Sequence, residues 1–224
     1  MDIVDFHAHI LPGADHGSSS LSDSLCQLSL AKQSGVTRIV ATPHFYPAAE
    51  GVERFIARRS RCYELLRDSM TPDMPEIRLG AEVLICEGLE MLPEIHKLCI
   101  GESNVLLLEL PLGEADKMQV RTVKALIKQG IEVVLAHADR YPRENIEPLV
   151  DLGAIIQLNA SSLCGLVKHR HLYEWASAGL VVALGSDIHG TSEKPYKCFV
   201  TAKKKLAEHL EYIKNQSDIM WDKF

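Results

Sequence analysis

The chain has 224 residues, 46% hydrophobic, 24% charged and 6% aromatic, a composition typical of a folded globular protein. The formal net charge of −6 gives no electrostatic footprint for nucleic acid, and the basic triplet at 203–205 fits a solvated helix face. No signal peptide and no apolar stretch of about 18 residues occur, so we expect one cytoplasmic domain, 1–224, without membrane insertion.

The predicted strands are seven short apolar segments rich in Val and Ile, at 2–6, 37–41, 77–84, 104–110, 132–136, 154–158 and 181–184. Helical periodicity is predicted between them, at 20–34, 52–69, 89–98, 114–129, 143–152, 172–178 and 191–216. This alternation is typical of parallel strands joined by crossover helices. It predicts a distorted seven-stranded (β/α)7 barrel of the triosephosphate isomerase type. An open doubly wound sheet is the alternative, although the glycine-rich nucleotide-binding motifs of such sheets are absent from the sequence.

Imidazoles and carboxylates recur at the ends of the predicted strands: His7, His9, His44, Glu82, Glu109, His137, Asp187 and His189. The sixth strand ends in Asn159. Active sites of barrels form at the carboxyl ends of the strands, so we expect these side chains to converge. Residues two apart in a strand point to the same side, which lets a His-x-His pair hold one cation. Nitrogen and carboxylate ligands accept divalent manganese, iron or zinc, and so rich a set can hold more than one ion.

Other interpretations exist for parts of this pattern. Glu109 lies in an apolar run, where an ionised carboxylate needs a cation or an ion pair, for instance with Arg140. The second His-x-His, His169 and His171, lies in a polar stretch and fits a solvated loop or helix start. Cys164 and Arg170 have the spacing of cysteine phosphatases, but the preceding His and the glycine-rich loop are missing.

The six cysteines show no Cys-x-x-Cys spacing, which favours reduced, mostly buried thiols over a disulfide framework or a zinc knuckle. They are Cys26, Cys62, Cys86, Cys99, Cys164 and Cys198.

The ordered motifs resemble, nearly end to end, the PHP (polymerase and histidinol phosphatase) superfamily, and within it the bacterial CpsB/YwqE-type tyrosine phosphatases of capsule and exopolysaccharide biosynthesis. The matching segments are 5–13 (DFHAHILPG), 41–44 (ATPH), 80–82 (GAE), 108–111 (LELP), 136–137 (AH), 161–165 (SSLCG) and 186–189 (SDIH). The resemblance implies a PHP-type barrel with two or three divalent ions, usually manganese, with iron, zinc or magnesium as alternatives.

The resemblance also implies roles for individual residues. The first ion would be bound by His7, His9, Glu109 and Asp187, and the second by Glu82, Glu109 and His137, with Glu109 bridging them. The third ion would be bound by His44 and His189, and Arg140 would bind phosphate.

Two departures from the family pattern concern the edge of this site. His16 stands where the family usually has a metal-binding Asp, and nitrogen could replace that carboxylate. Lys194, five residues past His189, stands where the family tends to have an Arg and offers phosphate a point charge without a bidentate fork.

The predicted function is metal-dependent hydrolysis of phosphate monoesters, with a phosphotyrosine protein, such as a bacterial tyrosine kinase of polysaccharide export, as substrate. Phe45 and Tyr46 are expected to stack on the phenyl ring of the substrate. The alternatives are a small-molecule phosphatase of the histidinol-phosphatase type, a metal-dependent amidohydrolase, or a metal-stabilised interaction module without catalysis.

Overall fold

The computed structural model describes residues 3–113, 116–164 and 170–223, which form an α/β fold in which every paired strand is parallel. The strands are β1 Ile3–Ala8, β2 Val36–Ala41, β3 His44–Phe45, β4 Glu76–Leu79, β5 Glu82–Leu84, β6 Val105–Glu109, β7 Glu132–Leu135, β8 Ile155–Asn159 and β9 Val181–Gly185. The α-helices are α1 Leu21–Gln33, α2 Val52–Arg67, α3 Lys117–Lys128, α4 Arg143–Val150, α5 Arg170–Ser177, α6 Lys194–Lys205 and α7 Ala207–Asp222. Short 3-10 helices cover Leu89–Met91, Ile95–Leu98, Ala138–Arg140 and Ala160–Leu163.

The strands lie in two sheets, with the orders β1-β2-β4 and β3-β5-β6-β7-β8-β9. The parallel α/β class is therefore confirmed, but the described residues contain nine strands in two sheets instead of the seven predicted. The two sheets adjoin at β1 and β9, where the Asp187 amide donates a hydrogen bond of 2.8 Å to the His7 carbonyl. This contact brings the ends of both sheets to one place.

The extra strands arise because the predicted strand at 77–84 changes partners halfway. Gly80 donates to the Ala41 carbonyl at 2.8 Å, whereas Glu82 donates to the Pro43 carbonyl at 3.1 Å. Glu82 then pairs with His44, which creates the two-residue strand β3. A Cβ at Gly80 would lie 3.0 Å from the Ile100 side chain, so glycine permits this close passage.

Helix boundaries agree with the capping signals where these are present. Ser20 accepts a hydrogen bond from the Asp23 amide before α1, and Asp116 accepts one from the Gln119 amide before α3. The predicted helix at 89–98 is instead two 3-10 helices, with Glu94 in a left-handed conformation (φ 60°) between them. The predicted helix at 191–216 is two helices, α6 and α7, which meet at Leu206. The predicted starts at 2 and 114 lie outside the described residues.

The apolar interior stops directly beneath the polar strand ends. Val105 and Leu107 are fully buried on the face of β6 that also carries Glu109. Phe6 and Val134 belong to the same buried cluster, which α7 closes with Trp221. The packed core therefore forms a rigid base for the residues that end the strands. No helix among the described residues combines the length and apolar character that crossing a bilayer demands.

Two of the cysteines form a disulfide, so the prediction of reduced thiols is wrong for Cys164 and Cys198. Cys164 ends the 3-10 helix Ala160–Leu163, and Cys198 lies in α6. Packing of these two elements brings the Cα atoms to 5.5 Å, within the range for a disulfide. The two residues are 34 positions apart in the chain, so local spacing carries no signal of this contact.

Candidate metal centre

The strand ends bring most of the predicted ligands into one cluster. Its potential ligand atoms form three overlapping groups, and within each group they lie no more than 4.8 Å apart. The groups are His7, His9 and Glu82; His44, Glu82 and Glu109; and His9, His44 and His189. Because the groups share members, the arrangement suits two or three neighbouring cations.

Glu82 lies at the centre of the cluster and is 1% exposed. Its Oε2 is 3.2 Å from Nε2 of His7, 3.2 Å from Nε2 of His9 and 2.9 Å from Nδ1 of His44. None of these contacts has hydrogen-bond geometry, which leaves the buried Oε2 without a hydrogen-bond partner. A buried carboxylate that faces several imidazole nitrogens fits a metal cation, because the cation can accept lone pairs from the oxygen and from the nitrogens.

Two residues that the sequence analysis did not select orient the histidines of this cluster. Asp15 Oδ2 lies 2.7 Å from Nδ1 of His9, and Gln157 Oε1 lies 3.1 Å from Nδ1 of His7. Because each oxygen accepts, Nδ1 carries the proton and Nε2 keeps a free lone pair. The two Nε2 atoms are 3.1 Å apart and face the same space. This is the tautomer that metal binding needs.

Gln157 and Asn159 lie two residues apart on β8 and connect three of the predicted ligands. Gln157 Oε1 also accepts from the His137 amide at 2.7 Å, and Gln157 Nε2 donates to Asn159 Oδ1 at 3.1 Å. Asn159 Nδ2 in turn donates to Asp187 Oδ2 at 2.9 Å. The sequence singled out Asn159 alone on this strand, but both amides position the site.

Two predicted ligands have left-handed backbones, which are rare for residues other than glycine. His137 has φ 34° and Asp187 has φ 49°. Such conformations cost on the order of 1–3 kcal/mol and persist where surrounding contacts hold them. For Asp187 the contact is its amide hydrogen bond to the His7 carbonyl. The strain lets both side chains turn into the cluster just after their strands end. His137 Nε2 reaches Glu82 Oε1 at 2.7 Å and Glu109 Oε1 at 3.7 Å.

The two glutamates of the cluster differ in how readily they ionise. Burial, followed by the negative charge of Glu82, raises the pKa of Glu109 to about 7. Burial also opposes ionisation of Glu82, but His7 and the other imidazoles around it hold its pKa well below the usual range. Burial lowers the pKa of His7, but Glu82 and Asp187 outweigh this effect and the net shift is upward. A divalent cation would relieve the repulsion between the two glutamates.

The remaining predicted residues lie at the exposed edge. The His16 ring stacks on His44 with centroids 4.7 Å apart and lies 4.7 Å from the His189 ring, although His16 belongs to none of the three groups. Arg140 pairs with Asp187 and not, as the alternative interpretation had it, with Glu109.

Lys194 is exposed at the first residue of α6, and among the described residues it forms no ion pair with the cluster.

The positions of four further residues bear on interpretations made from the sequence, namely Phe45, Tyr46, His171 and Cys164. Phe45 is fully buried against Phe55, so the prediction that it stacks on a substrate ring is wrong, whereas Tyr46 is 37% exposed and stacks on His44. His171 is the second residue of α5, where its ring packs edge-on against Trp175 and away from the cluster, and His169 lies outside the described residues. The disulfide leaves Cys164 without the thiolate that a cysteine phosphatase needs.

A model of the family described as capsular polysaccharide synthesis, CpsB/CapC, matches residues 3–219. The chain is 25% identical to the tyrosine-protein phosphatase YwqE of Bacillus subtilis (strain 168), over 94% of this chain and 88% of the relative. It is 30% identical to the putative tyrosine-protein phosphatase CapC of Staphylococcus aureus, over 95% of this chain and 89% of the relative. The match to the tyrosine-protein phosphatase CpsB of Streptococcus pneumoniae has 24% identity and covers 86% and 85%.

Solved structures share the fold. A structure from work on YwqE of Bacillus subtilis and CpsB of Streptococcus pneumoniae, described as metal-dependent tyrosine phosphatases, superposes with a TM-score of 0.74 at 22% identity, covering 96% of this chain and 95% of that one. A probable 2-pyrone-4,6-dicarboxylic acid hydrolase of Acinetobacter baumannii gives a TM-score of 0.55 at 14% identity, covering 95% and 96%. At these identities the two likenesses show a shared fold and nothing beyond it.

Proposed function

Because the chain belongs to the CpsB/CapC family of capsular polysaccharide synthesis proteins, we propose that it is a metal-dependent protein-tyrosine phosphatase. The observation that carries the proposal is the buried Oε2 of Glu82, which faces three imidazole nitrogens without a hydrogen bond. Such a donor set holds a cation, and metal-assisted hydrolysis is the chemistry that a multi-ion site performs on phosphate esters.

We propose as metal ligands the nine residues His7, His9, His16, His44, Glu82, Glu109, His137, Asp187 and His189, with two or three ions and manganese as the usual metal. Glu82 belongs to two of the three groups, which supports it as the carboxylate that two ions would share. The assignment of Glu109 as a bridge stays a prediction, since Glu109 joins one group only. His16 would complete its ion through the ring that lies beside His44 and His189.

When bound, divalent ions lower the pKa of an attacking water and neutralise charge on the phosphoryl oxygens. The protein's own side chains bind and orient the substrate. We propose that Arg140 binds two phosphoryl oxygens through its guanidinium, which Asp187 positions at the rim. Lys194 would add a point charge from the start of α6. The phenolate that leaves from phosphotyrosine needs little protonation, so no general acid is assigned.

The proposal extends to the architecture and the partner. We propose that both sheets belong to one distorted barrel of the PHP type and to one domain, supported by the hydrogen bond from Asp187 to His7 that joins β9 to β1. The chain also runs directly from β4 of one sheet to β5 of the other, with only residues 80–81 between them. The proposed substrate is phosphotyrosine on a protein, with a bacterial tyrosine kinase of polysaccharide export as the partner.

The test combines metal analysis of the purified protein with phosphate release from p-nitrophenyl phosphate, a phosphotyrosine peptide and histidinol phosphate. We expect bound divalent metal, preference for the peptide, loss of activity on chelation and recovery on adding manganese. Activity that survives exhaustive chelation, or that alkylation of thiols abolishes, would contradict the proposal.

The same assay separates the alternatives. Preference for histidinol phosphate would identify a small-molecule phosphatase. Bound metal without phosphate release from any of the three compounds would leave the amidohydrolase and the non-catalytic interaction module.

A further inference from the structure

An apolar groove begins where β3 and β5 end, next to the candidate metal centre. His44 and Glu82 are paired in these parallel strands, so the segments that follow both strands continue toward the same rim. The first segment supplies Pro47 and Ala48, and the second supplies 86–89 together with Leu92. These residues line an open cavity of about 470 Å³.

The groove continues beyond Leu92 into a second cavity of about 390 Å³. The start of α2, residues 51–54, forms one side, and 92–94 form the other. Leu92 lines both cavities, so they are adjoining parts of one depression. We call the whole depression the rim groove.

Tyr46 connects the metal centre to the rim groove. Its ring stacks on His44 at 5.2 Å between centroids, and the next residue, Pro47, already lines the groove. The Tyr46 ring therefore contacts the cluster at His44, and the chain reaches the rim groove one residue later.

The walls of the first cavity are mainly carbon. Pro47, Ala48, Leu89 and Leu92 present apolar atoms, whereas the charged Glu87 forms an ion pair with Arg121 at 3.2 Å. Further charges line the second cavity, where Glu53 and Arg54 lie in the first turn of α2. The first cavity thus suits an apolar side chain.

We propose that the rim groove binds the peptide flanking the phosphotyrosine, with an apolar side chain two to four residues away seated between Ala48 and Leu92. The inference rests on the proposed function and names a feature of its substrate. His44 and Pro47 are three residues apart, which spans at most about 10 Å. An extended peptide advances about 3.3 Å per residue, so a side chain about three residues from the phosphotyrosine reaches the groove.

Ala48 and Ala49 provide a matched pair for the test, because both are exposed and only Ala48 lines the rim groove. Ala48→Glu places a charge in the groove, and Ala49→Glu makes the same change one residue outside it. The substrates are phosphotyrosine, p-nitrophenyl phosphate and Gly/Ser phosphotyrosine peptides with one Leu at two, three or four residues on either side. The readout is kcat/KM for the metal-loaded protein.

For the unmodified protein, we expect Leu at one of these positions to raise kcat/KM about tenfold over the Gly/Ser peptide, as burial of an apolar side chain does. Ala48→Glu should abolish that gain and leave hydrolysis of p-nitrophenyl phosphate unchanged, while Ala49→Glu should keep both. Equal rates for all peptides, or equal losses in the two variants, would overturn the groove while leaving the phosphatase proposal standing. Absence of hydrolysis with every substrate would instead refute the proposed function, and with it the inference.

A second copy of the chain is the competing occupant of the groove. Sedimentation of the unmodified protein and of Ala48→Glu distinguishes the two cases. We expect the same mass for both proteins. A dimer that dissociates only in Ala48→Glu would assign the groove to self-association and overturn the inference.

Discussion

The candidate site has two regions that differ in how their residues are held. The floor consists of His7, His9, Glu82 and His137, each no more than 1% exposed and each in contact with another member or with a buried amide or carboxylate. The rim consists of His16, Tyr46, Arg140 and Lys194, which are exposed and lie on segments that follow the strands or begin a helix. Floor positions are therefore fixed by the sheets, whereas rim positions depend on loops.

This difference predicts unequal tolerance to substitution. A buried group that loses its partner leaves an uncompensated charge or lone pair, which costs several times more than the loss of an exposed contact. We accordingly expect the floor to decide whether metal binds and the rim to adjust the rate and the choice of substrate. The following predictions test that division, from the largest expected effect to the smallest.

Glu82→Gln should have the largest effect, because it removes the charge that faces His7, His9 and His44. We expect metal content to fall and phosphatase activity to drop on the order of 10³-fold, the size expected when several kcal/mol of metal-derived stabilisation are lost. Glu76→Gln, at the exposed start of β4, is the control and should remain active. Full metal occupancy and full activity in Glu82→Gln would refute the central place of this carboxylate.

Glu109→Gln sharpens the same point, because the family resemblance makes Glu109 the bridging ligand and the geometry favours Glu82. Glu109 is 19% exposed and its carboxylate has an elevated pKa of about 7. We expect a loss of activity on the order of 10²-fold, smaller than that of Glu82→Gln, as expected when several ligands remain. A larger loss in Glu109→Gln, measured on the same substrate and with metal analysis, would restore Glu109 as the main bridge.

Gln157→Leu tests the support beneath the floor. The substitution removes the acceptor that orients His7 and the His137 amide, and such indirect partners typically contribute 10–100-fold to metal affinity or activity. We expect a loss in that range, seen as weaker metal binding in a titration of the apoprotein. Gln119→Leu makes the same change at a buried residue of α3 outside the site and should leave metal affinity unaltered. Equal effects of both variants would point to general destabilisation.

The floor was largely predictable from sequence because its residues occur where strands end. His7, His9 and His137 follow predicted strands and Glu82 lies near the end of one, and parallel strands bring such positions to one edge of a sheet. The parallel α/β class follows from the same alternation of apolar runs and helical periodicity. The local sequence pattern is sufficient to predict these features, because the same arrangement of strand end and polar residue recurs around the fold.

The supporting residues were not predictable in this way. Gln157 contacts His7 across 150 positions of sequence, and this contact depends on the order and register of the sheets. Asp15 is similar, because its bond to His9 and to the His44 amide requires the loop after β1 to fold back over β3. The division of one predicted strand at Gly80 also arises from a change of partner that no local pattern encodes. Tertiary register, and not residue type, decides these features.

Asp139→Asn tests how a carboxyl buried beside the floor affects the stability of the metal-free protein at different pH values. Asp139 accepts a hydrogen bond from the Asn159 amide at 2.7 Å, and burial raises its pKa to about 6. Between about pH 4 and pH 6 the unfolded carboxyl has lost its proton and the folded one retains it, so stability falls as the pH rises through this window. The fall amounts to roughly 1–3 kcal/mol.

The amide of Asp139→Asn keeps the acceptor and does not ionise. We therefore expect the unfolding free energy of this variant, relative to the unmodified protein, to increase by roughly 1–3 kcal/mol between pH 4 and pH 7. Urea unfolding at the two pH values measures the difference, with Asp151→Asn at an exposed position as the control. A difference that stays constant with pH would show that the buried carboxyl ionises freely.

His16→Asp should have the smallest effect, because His16 lies at the rim and packs against other rings without joining a ligand group. The substitution restores the carboxylate implied by the family pattern, and an exposed charge of this kind contributes about 0.2–1 kcal/mol. We expect the most weakly bound ion to bind a few-fold more tightly and the activity to change by less than about tenfold. His96→Asp, an exposed histidine outside the site, should change neither quantity. If His16→Asp altered metal content as strongly as Glu82→Gln, His16 would belong functionally to the floor, because an exposed ring could then decide whether metal binds.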